Sequence, residues 1–363
     1  MEQIKNNLGD LSRKIFSCQN SRHSVRPLEL CLFSAYDDAN PQHIVFSMVD
    51  QGKIESAKPF RILSLDGGGA KGFYSLGVLR EIEGLIGKPL HEGFDLVFGT
   101  STGAIIASLI GLGKSVAEIH DLYREHVPRI MQRKSAWQKS AALAELAEEI
   151  YGDAMFDSVK TGVGIVTTKW IIERPMIFKG SVAQAHGRQG TFVPGFGVRI
   201  GDAVQASCSA FPFFEKKIVH TAMGDDIELV DGGYCANNPT LYAIADAIRA
   251  MNVDPSDLRV VSVGVGTYPS PKARFFSTMR WAQYLQSVQL LQKTLEINTQ
   301  SMDQLRAILF KNVTTVRIND TFERPEMATD LFEHNLTKLN ILRQRGAESY
   351  ANYENELKQI FEG

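Results

Sequence analysis

The chain has 363 residues, with 39 Lys and Arg set against 41 Asp and Glu, for a formal net charge of −2. At 44% hydrophobic and 22% charged residues, it can build a core without disulfide or metal staples. The near-neutral balance excludes a bulk electrostatic drive toward DNA or RNA, while leaving room for a local basic pocket. The length corresponds to about two domains, or to one large α/β domain with additions.

Cys18, Cys31, Cys208 and Cys235 are widely spaced and form no CxxC pair. That spacing argues against a zinc site or a secreted disulfide framework and points to a reducing, cytoplasmic setting. No cluster of His and carboxylates has metal-ligand spacing, so neither a metal nor another cofactor is expected. The N-terminus lacks the apolar run of a secretion signal. The longest apolar stretch, residues 103–113, is shorter than the roughly 20 residues a bilayer span needs, so any membrane contact is expected to be peripheral.

In chain order, residues 1–59 read as an N-terminal extension or cap with short strand-like pieces at 28–33 and 44–48. Residues 60–65 form an apolar strand that runs into Asp66-Gly67-Gly68-Gly69, followed by helical spacing over 77–86. A second strand, 94–98, ends in Gly99-Thr100-Ser101-Thr102-Gly103 ahead of an apolar helix. Strand, glycine turn and helix, twice over, predict an α/β fold with a mostly parallel sheet. Residues 115–158 read as helical, 172–178 and 191–193 as strands, and 202–210 as a short helix of small residues. A strand at 227–230 stops at Asp231-Gly232-Gly233, and Asn237-Asn238-Pro239 precedes a helix over 240–250. Residues 259–266 read as the last core strand. A long amphipathic helix is expected over 280–310, a strand over 313–318 and a closing helix over 335–361.

Three of these junctions carry chemistry. Gly99-x-Ser101-x-Gly103 sets a serine on a sharp strand-to-helix turn, where the helix N-terminus favours developing negative charge. Its bland alternative is a serine that only caps the helix. Asp66-Gly67-Gly68-Gly69-Ala70-Lys71-Gly72 can aim several N–H groups into one concavity, as an oxyanion requires. The same residues fit the GxGxxG turn of dinucleotide sites, but the acidic residue that should close the next strand is missing. Asp231-Gly232-Gly233 puts a carboxylate at a third strand end, expected on the same rim, although Asp-Gly is also a common turn dipeptide. The base is then either Asp231 alone or a histidine in hydrolase order, for which His334 is the candidate. An unperturbed carboxylate near pKa 3.9 is a poor base for a hydroxyl, so a two-residue site needs burial to raise it.

The three motifs in this order, over residues 60–270, resemble the patatin-like phospholipase family, as do Asn237-Asn238-Pro239 and the small residues at 206–210. The resemblance implies a three-layer α/β/α fold whose catalytic core spans 60–270, with a mainly helical part over 271–363. It implies a Ser–Asp dyad and hydrolysis of lipid acyl esters. By position, Ser101 is the nucleophile, Asp231 the base and Gly67, Gly68 and Gly69 the oxyanion donors. Asp66, Lys71, Gly72, Gly99, Gly103, Gly232 and Gly233 support them. Lys71 stands where the family often has a basic residue suited to phosphate or the oxyanion.

Length and layout also resemble the phospholipase effectors of bacterial cyclic-oligonucleotide antiphage systems. That likeness implies a cyclic dinucleotide activator, membrane phospholipid as substrate, action on the inner face of the membrane, and a possible homo-oligomer on activation. Lys272, Arg274, Arg280, Arg317, Arg343 and Arg345 are candidates for a phosphate pocket, with solvated surface charge the bland alternative. The mixed basic and aromatic run at 272–281 suits an interfacial patch, and Phe211-Pro212-Phe213-Phe214 an acyl-chain pocket. Ordinary core packing competes with both. Two rival functions stand beside this reading: an esterase with a Ser–Asp–His triad, and a non-catalytic nucleotide-binding protein on a Rossmann-like scaffold.

Overall fold

The computed structural model describes residues 58–269 and 279–362. The strand-like pieces before residue 58, Cys18 and Cys31 lie outside the described residues, and the side chains of the 272–281 run are likewise not described. Among the described residues eight strands form one mixed sheet: β1 (Phe60–Leu65), β2 (Leu96–Thr100), β3 (Gly162–Lys169), β4 (Arg174–Lys179), β5 (Lys217–His220), β6 (Asp226–Asp231), β7 (Leu258–Val263) and β8 (Thr314–Ile318). Their order is β5-β6-β3-β2-β1-β7-β8, with β4 also paired to β3. From β3 to β8 the strands are parallel, whereas β4, β5 and β6 are antiparallel to their partners.

Strand sequence explains why the sheet is covered on both faces. Leu63, Leu65, Val97, Val261 and Val263 join one apolar cluster, while their chain neighbours Ile62, Leu96, Phe98 and Val260 join another. Side chains that alternate between two buried faces need a layer of helices on each, which gives the three-layer fold expected. The larger cluster takes in α1 (Gly72–Ile86), α3 (Thr102–Gly111), α4 (Val116–Met131), α5 (Ala136–Tyr151), α6 (Ile200–Ser207) and α10 (Leu336–Glu362). The smaller one rests on α8 (Thr240–Arg249), beside the short α7 (Gly233–Ala236). A one-turn α2 (Leu90–Gly93) leads into β2.

Four sequence readings change. The helical stretch over 115–158 is two helices, each started by a capping box, Ser115 with Glu118 and Ser135 with Gln138. No strand forms at 191–193, where two short 3₁₀ turns around Gly190 and Gly195 take its place. The helix over 280–310 is present as α9 (Met279–Leu309), but it is not amphipathic in the simple sense. It buries Val288, Leu291 and Leu295 and also exposes Leu290, Ile297, Ile308 and Leu309. Finally, β8 carries the sheet past residue 270, because Val316 and Ile318 pack against the same core as β7.

Candidate active site

β2 ends at Thr100 and α3 begins at Thr102, so Ser101 alone turns the chain, at φ 52 and ψ −121. Such a backbone costs a residue with a Cβ about 1–3 kcal/mol and persists only where the surroundings impose it. Here they do. A Cβ on Gly99 would run into the Gly103 carbonyl, so the turn closes only on glycine. Ser207 Oγ accepts the Ser101 N–H at 2.9 Å and donates to the Val166 carbonyl at 2.6 Å, tying the elbow to β3.

Asp231 reaches this point by a route that strand order alone does not reveal. β6 runs antiparallel to β3, and Asp231 pairs with Thr167, one residue beyond the Val166 that pairs with Thr100. The aspartate therefore arrives at the level of Ser101 from the opposite direction. Ser101 Oγ donates to Asp231 Oδ2 at 2.7 Å, and the Gly233 N–H donates to Oδ1 at 2.7 Å. Asp231 is 2% exposed and has no cationic partner among the described residues. Burial pushes its carboxyl up to about 6, against the downward pull of the Gly233 and Ser101 hydrogen bonds. The weakness of an ordinary carboxylate as base is thus partly removed by desolvation.

Asp66, on the same edge, shows the contrast. The Arg317 guanidinium donates to both its oxygens, at 2.9 and 2.5 Å, and also to Ser262 Oγ. Burial raises the Asp66 carboxyl pKa too, but Asp66 is paired by Arg317, whereas Asp231 has no such partner among the described residues. Arg317 is therefore a structural cation and drops out of the expected phosphate pocket. Arg345 lies over the Tyr268 and Phe322 rings.

The glycine loop also needs correcting. Gly67 cannot serve as an oxyanion donor, because its N–H is held by the Asn237 carbonyl at 2.9 Å. The Gly68 and Gly69 amides meet no acceptor among the described residues, and both residues line the cavity beside Ser101. Gly69 sits at φ 57, which leaves its backbone turned in a way other residues resist. Thr102 lines the same cavity as the first residue of α3, and its amide is likewise without an acceptor there. Sequence reasoning missed Thr102 and Ser207. The residue after a serine on such an elbow is the one signal that pointed to the former.

The cavity beside Ser101 has predominantly apolar walls, which suit an acyl chain. Its walls include Ile105, Leu109, Val127, Leu143, Leu146 and, from the Phe211–Phe214 segment, Phe214. Cys208, a free thiol, lies in the same lining. Lys71 does not enter this space. It is 3% exposed and lines a second, smaller cavity with Asn237 and Glu296, across the wall made by Gly68, Leu295 and Leu331. Burial lowers its ammonium pKa.

His334 is exposed, with Nδ1 3.3 Å from the Phe332 carbonyl, and it contacts neither Ser101 nor Asp231. With no hydrogen bond from His334 to either Ser101 or Asp231, the triad is not assembled in this structure. His334→Ala should leave ester hydrolysis within twofold of the parent; a loss beyond tenfold in initial-rate assays would restore the triad.

The model of the patatin-like phospholipase family matches residues 63–244, from β1 through Ser101 and Asp231 into α8. The chain belongs to the patatin-like phospholipase family. As a member it is a hydrolase of the phospholipase type, and the reading as a non-catalytic nucleotide-binding scaffold gives way. Over 300 residues the chain is 65% identical to a cUMP-AMP-activated phospholipase of Escherichia coli, covering 83% of this chain and 93% of that one. A cGAMP-activated phospholipase of Vibrio cholerae is 28% identical over 234 residues, covering 56% of this chain and 63% of that protein. The calcium-independent phospholipase A2-gamma of Oryctolagus cuniculus is 29% identical over 229 residues, 58% of this chain and 28% of its own length. Among the described residues no helix is long and apolar enough to cross a membrane.

Proposed function

We propose that this chain cleaves membrane phospholipid esters with a Ser101–Asp231 dyad and that a cyclic dinucleotide switches it on. Asp231 takes the Ser101 hydroxyl proton as Oγ bonds to the ester carbonyl carbon, and the carbonyl oxygen becomes an oxyanion. The Gly68, Gly69 and Thr102 amides receive that charge, aided by the N-terminus of α3. Protonated Asp231 returns its proton to the departing alcohol as the C–O bond breaks, leaving acyl-Ser101. Asp231 then deprotonates a water that attacks the acyl carbonyl, and returns the proton to Ser101 Oγ as the C–Oγ bond breaks, releasing the fatty acid. The apolar cavity holds the acyl chain throughout. The observation that carries this reading is the 2.7 Å bond from Ser101 to a buried aspartate that has no cationic partner among the described residues.

Activation follows from likeness to the cUMP-AMP- and cGAMP-activated phospholipases. With it go a cytoplasmic location, action at the inner membrane face, an antiphage role and, on activation, self-assembly. A fluorophosphonate probe tests both halves of the reading. Labelling should rise at least tenfold when cyclic UMP–AMP is added and should vanish in Ser101→Ala. Equal labelling with and without a panel of cyclic dinucleotides would remove the switch, and labelling that survives Ser101→Ala would remove the nucleophile.

A further inference from the structure

The β3–β4 hairpin carries an exposed tip that the catalytic reading does not use. Its four turn residues are Trp170, Ile171, Ile172 and Glu173, with the three apolar ones 41%, 78% and 54% exposed. Leaving a tryptophan and two isoleucines together in water at the end of a rigid hairpin is costly unless something covers them. The tip stands on the active-site edge of the sheet. Val166 pairs with Thr100, the residue before the nucleophile, so β3 runs three residues further out, about 10 Å at 3.3 Å per residue, to Lys169 at the base of the tip.

The base of the tip is positively charged. Lys169 and Arg174 are direct cross-strand partners, and neither has an ion-pair partner among the described residues. Two unpaired cations facing each other across a hairpin oppose pairing, and an anionic surface would relieve that repulsion. Lys216 Nζ lies 5.0 Å from the Trp170 ring centre while paired with Glu228 at 2.9 Å.

Two aromatic contacts on the Phe211–Phe214 segment lie between the tip and the cavity lining. Trp170 packs on Phe211 with ring centres 5.5 Å apart, and Phe213 packs on Phe332 at 5.2 Å. Phe332 and Phe214 line the cavity beside Ser101. Thr168, two residues before Trp170, donates its hydroxyl to the Asp231 carbonyl at 3.1 Å. The tip and its cations thus stand at the same end of the sheet as Ser101, and aromatic packing leads from the tip toward the cavity lining.

We propose that the 170–173 tip is the membrane anchor of this protein: Ile171 and Ile172 enter the acyl region of an anionic bilayer, Trp170 sits at the headgroup level, and Lys169 and Arg174 meet lipid phosphates. Aromatic, apolar and basic residues in that order match the layers of a bilayer surface. Anchored this way, the cavity mouth faces the layer from which a lipid must be drawn. The inference rests on the phospholipase reading, and its test separates the two.

The full-length protein, with cyclic UMP–AMP present, is mixed with vesicles of phosphatidylcholine and phosphatidylglycerol carrying brominated acyl chains. Tryptophan quenching and co-sedimentation report binding, and hydrolysis of monomeric p-nitrophenyl butyrate reports the dyad. Quenching should fall in Trp170→Phe although Trp137 and Trp281 remain. Ile171→Asp with Ile172→Asp should weaken co-sedimentation more than tenfold while p-nitrophenyl butyrate turnover stays within twofold. Lys169→Ala with Arg174→Ala should cost roughly tenfold on vesicles with phosphatidylglycerol and nothing on pure phosphatidylcholine. Co-sedimentation of the isoleucine variant equal to the parent, or quenching that survives Trp170→Phe, overturns the anchor. If p-nitrophenyl butyrate is not hydrolysed by the parent, the catalytic reading falls, and the quenching data still decide the anchor.

Discussion

Ser101→Ala should remove at least about 10⁴-fold of the activator-stimulated release of fatty acid from vesicles, with a change in Tm of no more than a few degrees. The large loss follows from the proposed role of Ser101 as nucleophile: burial pushes the nearby Cys208 thiol pKa up, which leaves it a poor substitute. The small thermal effect follows from what the substitution leaves intact. Ser207 still holds the residue 101 amide, and the turn still closes over Gly99 and Gly103. Ser101→Gly tests the strain at φ 52 separately. It should be as inactive as Ser101→Ala yet melt higher, because glycine adopts that backbone without a Cβ penalty. Scanning calorimetry beside the lipase assay decides both points. Glycine and alanine variants that melt together would mean the elbow carries no strain, and residual lipase activity above 1% of the parent in Ser101→Ala would mean that another group attacks the ester.

Asp231→Asn should abolish activity and, at neutral pH, stabilise the fold. In the folded chain the carboxyl titrates at about 6, against an ordinary 3.8, because burial disfavours its charged form. The folded state therefore holds this proton between pH 3.8 and 6, where the unfolded chain has lost it. Stability falls as pH rises through that window, and above about pH 6 the full cost is present, on the order of 3 kcal/mol. Asparagine keeps an oxygen for the Gly233 N–H and never carries the charge. Its stability gain should thus be largest above pH 6 and fade toward zero near pH 4, measurable by urea titrations at several pH values. A destabilised Asp231→Asn at pH 7.5 would contradict the burial argument. If Asp231 is the base proposed, kcat/KM in the parent should rise about tenfold per pH unit below 6 and level off above it.

Much of the site is legible in the chain because turns are local. Which residues can turn a strand into a helix at Ser101, or free the amides at Gly68 and Gly69, depends on glycines within a few positions. Burial on both faces of β1, β2 and β7 is likewise visible in their near-continuous apolar character. The strand at 191–193 misleads for the converse reason: three residues between Gly190 and Pro194 are too few to outweigh their turn-forming neighbours.

Sequence by itself determined the three turns, their residue types and the layered α/β order, since these follow from short-range sterics and the period of apolar side chains. Tertiary structure alone decided which groups meet and in what charge state. The Ser101–Asp231 bond spans 130 positions, and the Arg317 fork that neutralises Asp66 spans 251. Asn237, far along the chain, is what occupies the Gly67 amide, and the antiparallel entry of β6 is what brings Asp231 level with the serine. Desolvation and hydrogen-bond partners are properties of packed surfaces, and the surfaces that raise one carboxylate, pair another and leave a hairpin tip bare exist only once distant elements have come together.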